Sequence, residues 1–578
     1  MKIDFSPWGS YFVASFLAAL PTVCSASVSL KPGNDVSQIV SKNPAGTIFN
    51  FAPGLYRLKV PITPLKGDIF IGAPGRSSII SGATLLTSFK QQDPYWTATV
   101  GVPASIPDSK LCWSGKLPNY PLCVLSEDLY SDNVLLTRTA DLTDLTAGAN
   151  GWFLDYASGT LYVAQDPTGH NLELTTTHHA FVGSAANVSI EGFVIEKFAA
   201  TPVEAAVQAF VFRGPTSSGW ILQHNEIRLN HGFGVRDGHA MKILNNYIHH
   251  NGHTGIGSQN ENVLIEGNEI AFNNLAHYST SGGIYAACVG SSGLTVRNNY
   301  AHENQGQGMH TDGDCNNVLY EGNRVESNVF AGIEHEISHA AVIRYNLLRN
   351  EGFSPIPLPG AAIWISTSDN VSIYGNTVVG SRVSIAGGQY PTGVGRNGQP
   401  YALKNLYVHD NVMVQTANHV AGIVSNPAFQ PDVFTSWGNR FESNSYQIAN
   451  GVDYFWGKGR GIVSRGEWVA EGQDVSGSWI PFGKSSFVSA KFTAGQIVAT
   501  AAPTEVWSLP SSSDPSSKLL GTVPAGSTAT VTSIQGPIYS GHRFWWHVSY
   551  GKGLTGWSLE SSISGTPLSS FSSNRSGR

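Results

Sequence analysis

Two short runs carry the residues most able to do chemistry: Gly308-Met309-His310-Thr311-Asp312 and, 24 residues later, Gly332-Ile333-Glu334-His335-Glu336. Successive side chains of an extended strand face opposite ways. The second and fourth residues after each Gly therefore share one face. Extending the alignment gives one row of Arg236, Gly257, Tyr285, His310, Glu334 and Trp364, and another of Gly238, Gln259, Ala287, Asp312, Glu336 and Ser366. If the strands stack about 4.8 Å apart, with alternate residues roughly 6.6 Å apart, Asp312 adjoins Glu336 and His310 adjoins Glu334. The Asp312–Glu334 diagonal is then about 8 Å. Carboxyl groups this close cannot all ionise freely, so at least one keeps a proton. That is the condition under which one carboxyl serves as acid and another as base or nucleophile. Separations near 5 Å suit retaining glycoside hydrolysis and roughly 6.5–9.5 Å suit inversion; both spacings occur here. Asp312, Glu334, Glu336 and His310 are thus the expected catalytic set. Arg236, Tyr285, Trp364 and Gln259 are the expected substrate contacts, with Tyr285 and Trp364 placed to stack on sugar rings.

The same atoms allow a second chemistry. Asp312, Glu334 and Glu336 form an oxygen-rich set able to hold Ca²⁺. Such an ion would neutralise a uronate and acidify its C5 proton, with His310 or His339 as base and Tyr285 as acid, which describes β-elimination. The hydrolytic reading needs no cofactor. His335 is expected to point inward, and His249, His302, Glu326 and Arg349 fall on a different sheet, where solvation accounts for them.

What positions these residues is an internal repeat. Asn recurs at 225, 246, 268, 299, 323, 346, 376 and 411, with most gaps near 22 residues and the longer ones explained by inserted loops. A second Asn follows five residues later at 230, 251, 273, 304 and 328. Gly plus an apolar residue follows at 234, 255, 308 and 332. Each unit holds about three short strands with β-branched inward residues and Asn or Gly corners, and none shows helical 3.6-residue spacing. Units that cannot bury a core alone do so by stacking, and stacked Asn side chains form amide ladders. The expected fold is all-β: a right-handed parallel β-helix.

Composition agrees. The 578 residues include 63 Gly and 30 Pro, only 13% are charged, and the net charge is −6, which excludes a globally basic nucleic-acid binder. Tyr11–Leu20 is an apolar run followed by Pro21 and small residues, so residues 1–27 read as a secretory leader. No later window of eighteen apolar residues suggests a membrane span. The β-helix is expected over 28–450, interrupted by a β subdomain at 88–173. A connector (451–487), a small barrel (488–565) and a disordered tail (566–578) follow. An exported chain, secreted or periplasmic, permits disulfides; Cys112 and Cys123 are expected to pair, while Cys288 and Cys315 either pair across coils or remain buried thiols.

Residues 40–450 resemble the pectin-lyase-like superfamily of right-handed β-helices, and the closest echo is Thr311-Asp312 with the run Gly332-Ile333-Glu334-His335-Glu336-Ile337-Ser338. That resemblance implies a polysaccharide substrate and hydrolase, lyase or C5-epimerase chemistry. In alginate- and dermatan-type lyases a Glu-x-Glu on one strand binds Ca²⁺ with an Asn on the preceding coil. Glu334 and Glu336 match that pair, but His310 or Asp312 holds the Asn position and His339 stands where a Lys is needed. Residues 488–565, with Trp545-Trp546-His547-Val548 and Gly556-Trp557, resemble a bacterial SH3-type barrel, implying contact with peptide or cell-wall material. The expected function is therefore a secreted glycoside hydrolase acting on polysaccharide. Ca²⁺-dependent lyase or epimerase chemistry, and a non-catalytic glycan-binding adhesin or scaffold, are the alternatives.

Overall fold

A computed structural model describes residues 27–101, 124–277, 282–288, 290–353, 360–396, 398–415, 419–425, 430–449, 455–456, 462–481, 491–532, 537–540, 543–551 and 553–565. The leader, apart from Ser27, and the Cys112–Cys123 pair lie outside them. Three long sheets run along the molecule, of 13, 13 and 12 strands, and their strands pair almost entirely in parallel with the strand one coil away. We call them sheets one, two and three, sheet three being the 12-stranded sheet that contains Met309–Asp312 and Ile333–Glu336. The chain is a right-handed parallel β-helix.

The repeated residues account for the coil. Asn225, Asn246, Asn268, Asn299, Asn323, Asn346, Asn376 and Asn411 are all buried. Asn225 accepts the backbone N–H of Phe193 at its side-chain oxygen, and each later one receives there the backbone N–H and the side-chain amide of the Asn one coil earlier, as Asn268 does from Asn246 at 2.9 and 3.0 Å. The ladder runs on through Asn444 to Asp474. A second ladder climbs from Asn230 to Asn328 and ends on the carboxyl of Glu351. Every corner thus satisfies buried polar groups that no water reaches. The Gly preceding each sheet-three strand has a steric cause. A Cβ on Gly308 would lie 2.7 Å from the Gly332 carbonyl oxygen, and one on Gly283 would lie 2.4 Å from that of Gly308.

Inside the coil a single apolar column fills the core, with Val235, Ile256, Ile284, Met309, Ile333 and Ile363 contributed by sheet three. The helix Val36–Lys42 closes one end with Val36 and Val40. The inserted subdomain leaves at Ala83–Leu86 and returns at Leu172–Thr175, two strands that pair antiparallel, and it has its own core around Trp152. The coil continues beyond residue 450, because Ser478–Pro481 pairs in parallel with Ser445–Ile448. Part of the expected connector is therefore another winding.

Residues Ile497–Gly565 form an antiparallel β unit. Its Trp545 and Trp557 pack with Tyr345 and Leu347 of the β-helix, and the Tyr345 hydroxyl bonds Asp514 at 2.5 Å. These two tryptophans dock the unit on the solenoid and are buried by doing so. Cys288 and Cys315 form a disulfide between adjacent coils, with Cα atoms 4.9 Å apart. Among the described residues no helix is long and apolar enough to cross a membrane.

Candidate active site

The strands of sheet three pair in the register that stacks the second-position row: Arg236 beside Gly257, Gly257 beside Tyr285, Tyr285 beside His310, His310 beside Glu334, and Glu334 beside Trp364. Ala287 pairs with Asp312 and Glu336 with Ser366. The alternation sends Met309 and Thr311 inward, and His310 and Asp312 to the outer face.

Four ionisable groups meet there. His310 is 1% exposed, with Nε2 3.3 Å from Glu336 Oε2. One ligand atom each from His310, Asp312 and Glu336 lies within 4.8 Å of the others. The Tyr285 hydroxyl donates to Asp312 at 3.0 Å and the Gln307 amide donates to Glu334 at 2.9 Å. Ser366 donates to the second oxygen of Glu336 at 3.3 Å. Among the described residues neither ring nitrogen of His310 has a well-formed hydrogen bond, so the ring is held by packing and charge.

The electrostatics divide the groups. Burial pulls the His310 imidazole down, but Glu334, Glu336 and Asp312 around it prevail and push it up to about 9. Burial raises Asp312 above the usual carboxylate range, opposed by His310 and the Tyr285 hydrogen bond and reinforced by Glu336. Glu334 is raised in the same way, by burial first and by its acidic neighbours, with His310 and Gln307 opposing. Burial acts on Glu336 too, yet its contact with His310 and its bond from Ser366 outweigh it and hold this carboxyl below the ordinary value. The patch therefore sets one carboxyl of lowered proton affinity, Glu336, and two of raised affinity, Asp312 and Glu334, around an imidazole whose own affinity is raised.

His335, between Glu334 and Glu336 on the strand, points into the coil and is fully buried. Its Nε2 donates to the His339 carbonyl at 2.8 Å, so Nδ1 accepts from the Thr311 hydroxyl at 2.7 Å. Thr311 in turn accepts from Tyr320 at 3.1 Å. This chain ties together, from beneath, the two strands that carry the acids.

The expected substrate contacts fare differently. Tyr285 is partly exposed at the site. Trp364 is not a free platform: it is 3% exposed and packed among Ala331, Ala361, Val383 and Ala386, with Tyr390 over it. An indole on this strand is drawn into the apolar gap left by small neighbours. Arg236 is 8% exposed, with its guanidinium against the Phe210 and Phe233 rings and bonded to the Val203 carbonyl at 2.6 Å. Gln259 is exposed, and its backbone N–H donates across to the buried Asp237 carboxyl of the preceding coil at 3.1 Å. Glu334 falls outside the three-residue group able to hold an ion, because Gln307 draws its carboxyl aside. His339 faces Asp314 and Asp369 rather than the acidic patch.

Two tyrosines were not expected from sequence. Tyr390, partly exposed, lies close enough to Glu334 and Glu336 for their charges to raise its hydroxyl. Tyr401 is bonded at 2.8 Å to Asp314 and feels Asp312. Both belong to a loop inserted after the strand Val383–Gln389, which folds back over the coils that carry Trp364, Glu334 and Asp314. No repeat pattern covers that loop, so nothing in the spacing marks it.

Residues 213–378, which include the strands that carry Tyr285, His310, Asp312, Glu334 and Glu336, match the family described as "Right handed beta helix region". A search of curated proteins finds no match. Among solved structures the chain is similar to XylC determined with xylose, at 12% identity over 88% of this chain and 98% of that one, with a TM-score of 0.52. It is also similar to the A-module of the mannuronan C-5 epimerase AlgE6 of Azotobacter vinelandii, at 13% identity over 77% and 93%, with a TM-score of 0.46. These likenesses are likenesses of fold.

Proposed function

We propose that this protein is a carbohydrate-active enzyme that hydrolyses glycosidic bonds of a polysaccharide laid across sheet three. The observation that carries the reading is the buried His310 cation among three carboxyls whose proton affinities its environment drives apart. Glu334, raised, is the proton donor to the leaving oxygen. Glu336, kept ionised by His310, is the base or nucleophile. Asp312, raised and bonded by Tyr285, completes the charge balance and takes the second acid role. Tyr285 and Tyr390 offer the aromatic contact for sugar, the latter in place of the covered Trp364. The fold shared with XylC, which was determined with xylose, makes a sugar the first ligand class to test.

Cation-dependent β-elimination draws support from one feature, the closeness of His310, Asp312 and Glu336. The donor set suits Ca²⁺ poorly. Calcium takes six to eight oxygens, whereas here an imidazolium occupies the centre and Glu334 stands apart. We therefore derive no step through a cation.

The deciding experiment incubates the protein with a panel of neutral and uronate polysaccharides. Hydrolysis raises reducing ends with no new ultraviolet absorbance. Elimination raises both and stops when a chelator is added. Glycan binding with unchanged chain length over long incubation would remove both enzymatic readings and leave a binding scaffold.

A further inference from the structure

Four coils before the acidic patch, where the inserted subdomain rejoins the β-helix, two adjacent histidines face a glutamate on the next coil. His178 Nδ1 lies 3.9 Å from Glu204 Oε2, and His179 Nε2 lies 3.7 Å from Glu204 Oε1. One ligand atom from each residue falls within 4.8 Å of the others. Two imidazoles and a carboxylate are the donor types of a zinc-class ion, and a shared ion would bring neighbouring donors to about 3.4 Å. The observed separations stand a few tenths of an ångström to half an ångström beyond that.

The second observation concerns His179. It is 9% exposed, and its Nδ1 donates to the Ala205 carbonyl at 2.7 Å. With Nδ1 carrying the hydrogen, the neutral ring presents its lone pair at Nε2. Among the described residues that nitrogen has no hydrogen-bond partner, and it faces Glu204 Oε1 at 3.7 Å. Metal-binding histidines are commonly oriented this way, one nitrogen held by a backbone carbonyl and the other left to the ion. Glu204 is steadied by the Thr201 hydroxyl, which donates at 2.8 Å to Oε2. Arg236 is within electrostatic reach of Glu204, but its guanidinium is committed to the Val203 carbonyl and two phenyl rings. His178 stays about half exposed, 46% by its side chain, which leaves an approach from solvent.

We infer that His178, His179 and Glu204 form a binding site for a divalent transition metal of the zinc class, with at least one position open to water. The ion joins the coil that receives the returning subdomain to the coil after it. Four strand steps separate Glu204's coil from that of His310, about 19 Å at the usual spacing. The site is therefore distinct from the acidic patch and stands whether or not that patch is catalytic.

The test is calorimetric titration of the full chain with Zn²⁺, paired with thermal melting. Wild type should bind Zn²⁺ saturably and melt higher with it, since a ligand of the folded state stabilises it. His179→Gln and Glu204→Gln should weaken that site by about 10-fold or more and abolish the rise, whereas Glu336→Gln should retain both. His178→Gln, at an exposed position, provides the same test without disturbing packing. Ca²⁺ in excess should not compete, because the histidine-rich donor set favours the softer ion. No saturable binding to wild type, binding unchanged in His178→Gln and Glu204→Gln, loss confined to Glu336→Gln, or displacement by Ca²⁺ would each overturn the assignment.

Discussion

Nε2 of His310 lies 3.3 Å from Oε2 of Glu336 across the boundary between two successive coils, with the imidazole almost wholly removed from water. Each side chain sets the charge of the other: the carboxyls push the imidazole to about 9, and the imidazolium keeps Glu336 ionised. Replacing His310 by Gln removes the cation that these carboxyls surround. Activity should fall on the order of 100-fold or more, the scale of lost acid–base assistance. The acid limb of the pH–rate profile should move to higher pH as Glu336 loses its partner. An unchanged acid limb with reduced rate would mean that His310 acts by shape alone.

The same pair governs a part of the stability. The folded-state value of His310 lies above the ordinary histidine value of about 6.5, so its contribution is complete below that pH and is lost as pH rises through about 9. Melting temperature measured across that window should fall in wild type and fall less in His310→Gln. Parallel curves would show that the imidazole is not protonated in the folded protein.

Glu334→Gln and Asp312→Asn separate the two raised carboxyls. If Glu334 is the proton donor, its Gln variant should lose about 10²–10⁴-fold in kcat and lose the basic limb of the profile, where the donor of wild type ionises. Asp312→Asn should lower the rate while leaving a basic limb in place. Substrates with a highly activated leaving group need little protonation, so they should restore much of the rate of Glu334→Gln and little of that of Glu336→Gln. Equal recovery in both would exchange the assigned roles.

How far the sequence predicts this site follows from what repeats. Asn246 over Asn268 and Gly308 over Gly332 are demanded by the coil itself, so their spacing carries the register, and with it the meeting of His310, Asp312, Glu334 and Glu336. Period-two alternation likewise separates His335, turned inward, from its acidic neighbours. Trp364 shows the limit: the same alternation sends it outward, but Tyr390 from an aperiodic loop covers it. Gln307 and Tyr401 are invisible for a related reason, since their partners lie on coils or loops whose approach no pattern encodes. Glu351 ends the second Asn ladder at a position where the repeat offers no Asn, and its pairing with Asn328 reveals why a carboxyl can stand there.

Thr311 tests the network beneath the site. Its hydroxyl donates to His335 Nδ1 and accepts from Tyr320. Thr311→Val keeps the shape but leaves two buried polar atoms without partners, each worth about 1–3 kcal/mol. The denaturation midpoint should drop accordingly. Affinity for glycan should change less than kcat, because the strands that hold the acids lose their tie while the outer face is kept. A variant as stable as wild type would mean that the two orphaned groups find other partners.

Glu351 offers the last prediction. Its carboxyl is fully buried at the end of the second ladder, where burial raises it well above the usual range despite two hydrogen bonds from Asn328. A carboxyl raised in the folded state stabilises while both states are protonated. It loses that advantage as pH climbs from the unfolded value of about 4.3 through the folded one. Wild type should therefore become less stable over this climb, and Glu351→Gln, which cannot ionise, should not. The two stability curves should converge toward acid and separate toward neutral pH, with the Gln variant less affected by alkali. Curves of identical slope would show that Glu351 is ionised in place, stabilised by Asn328 alone.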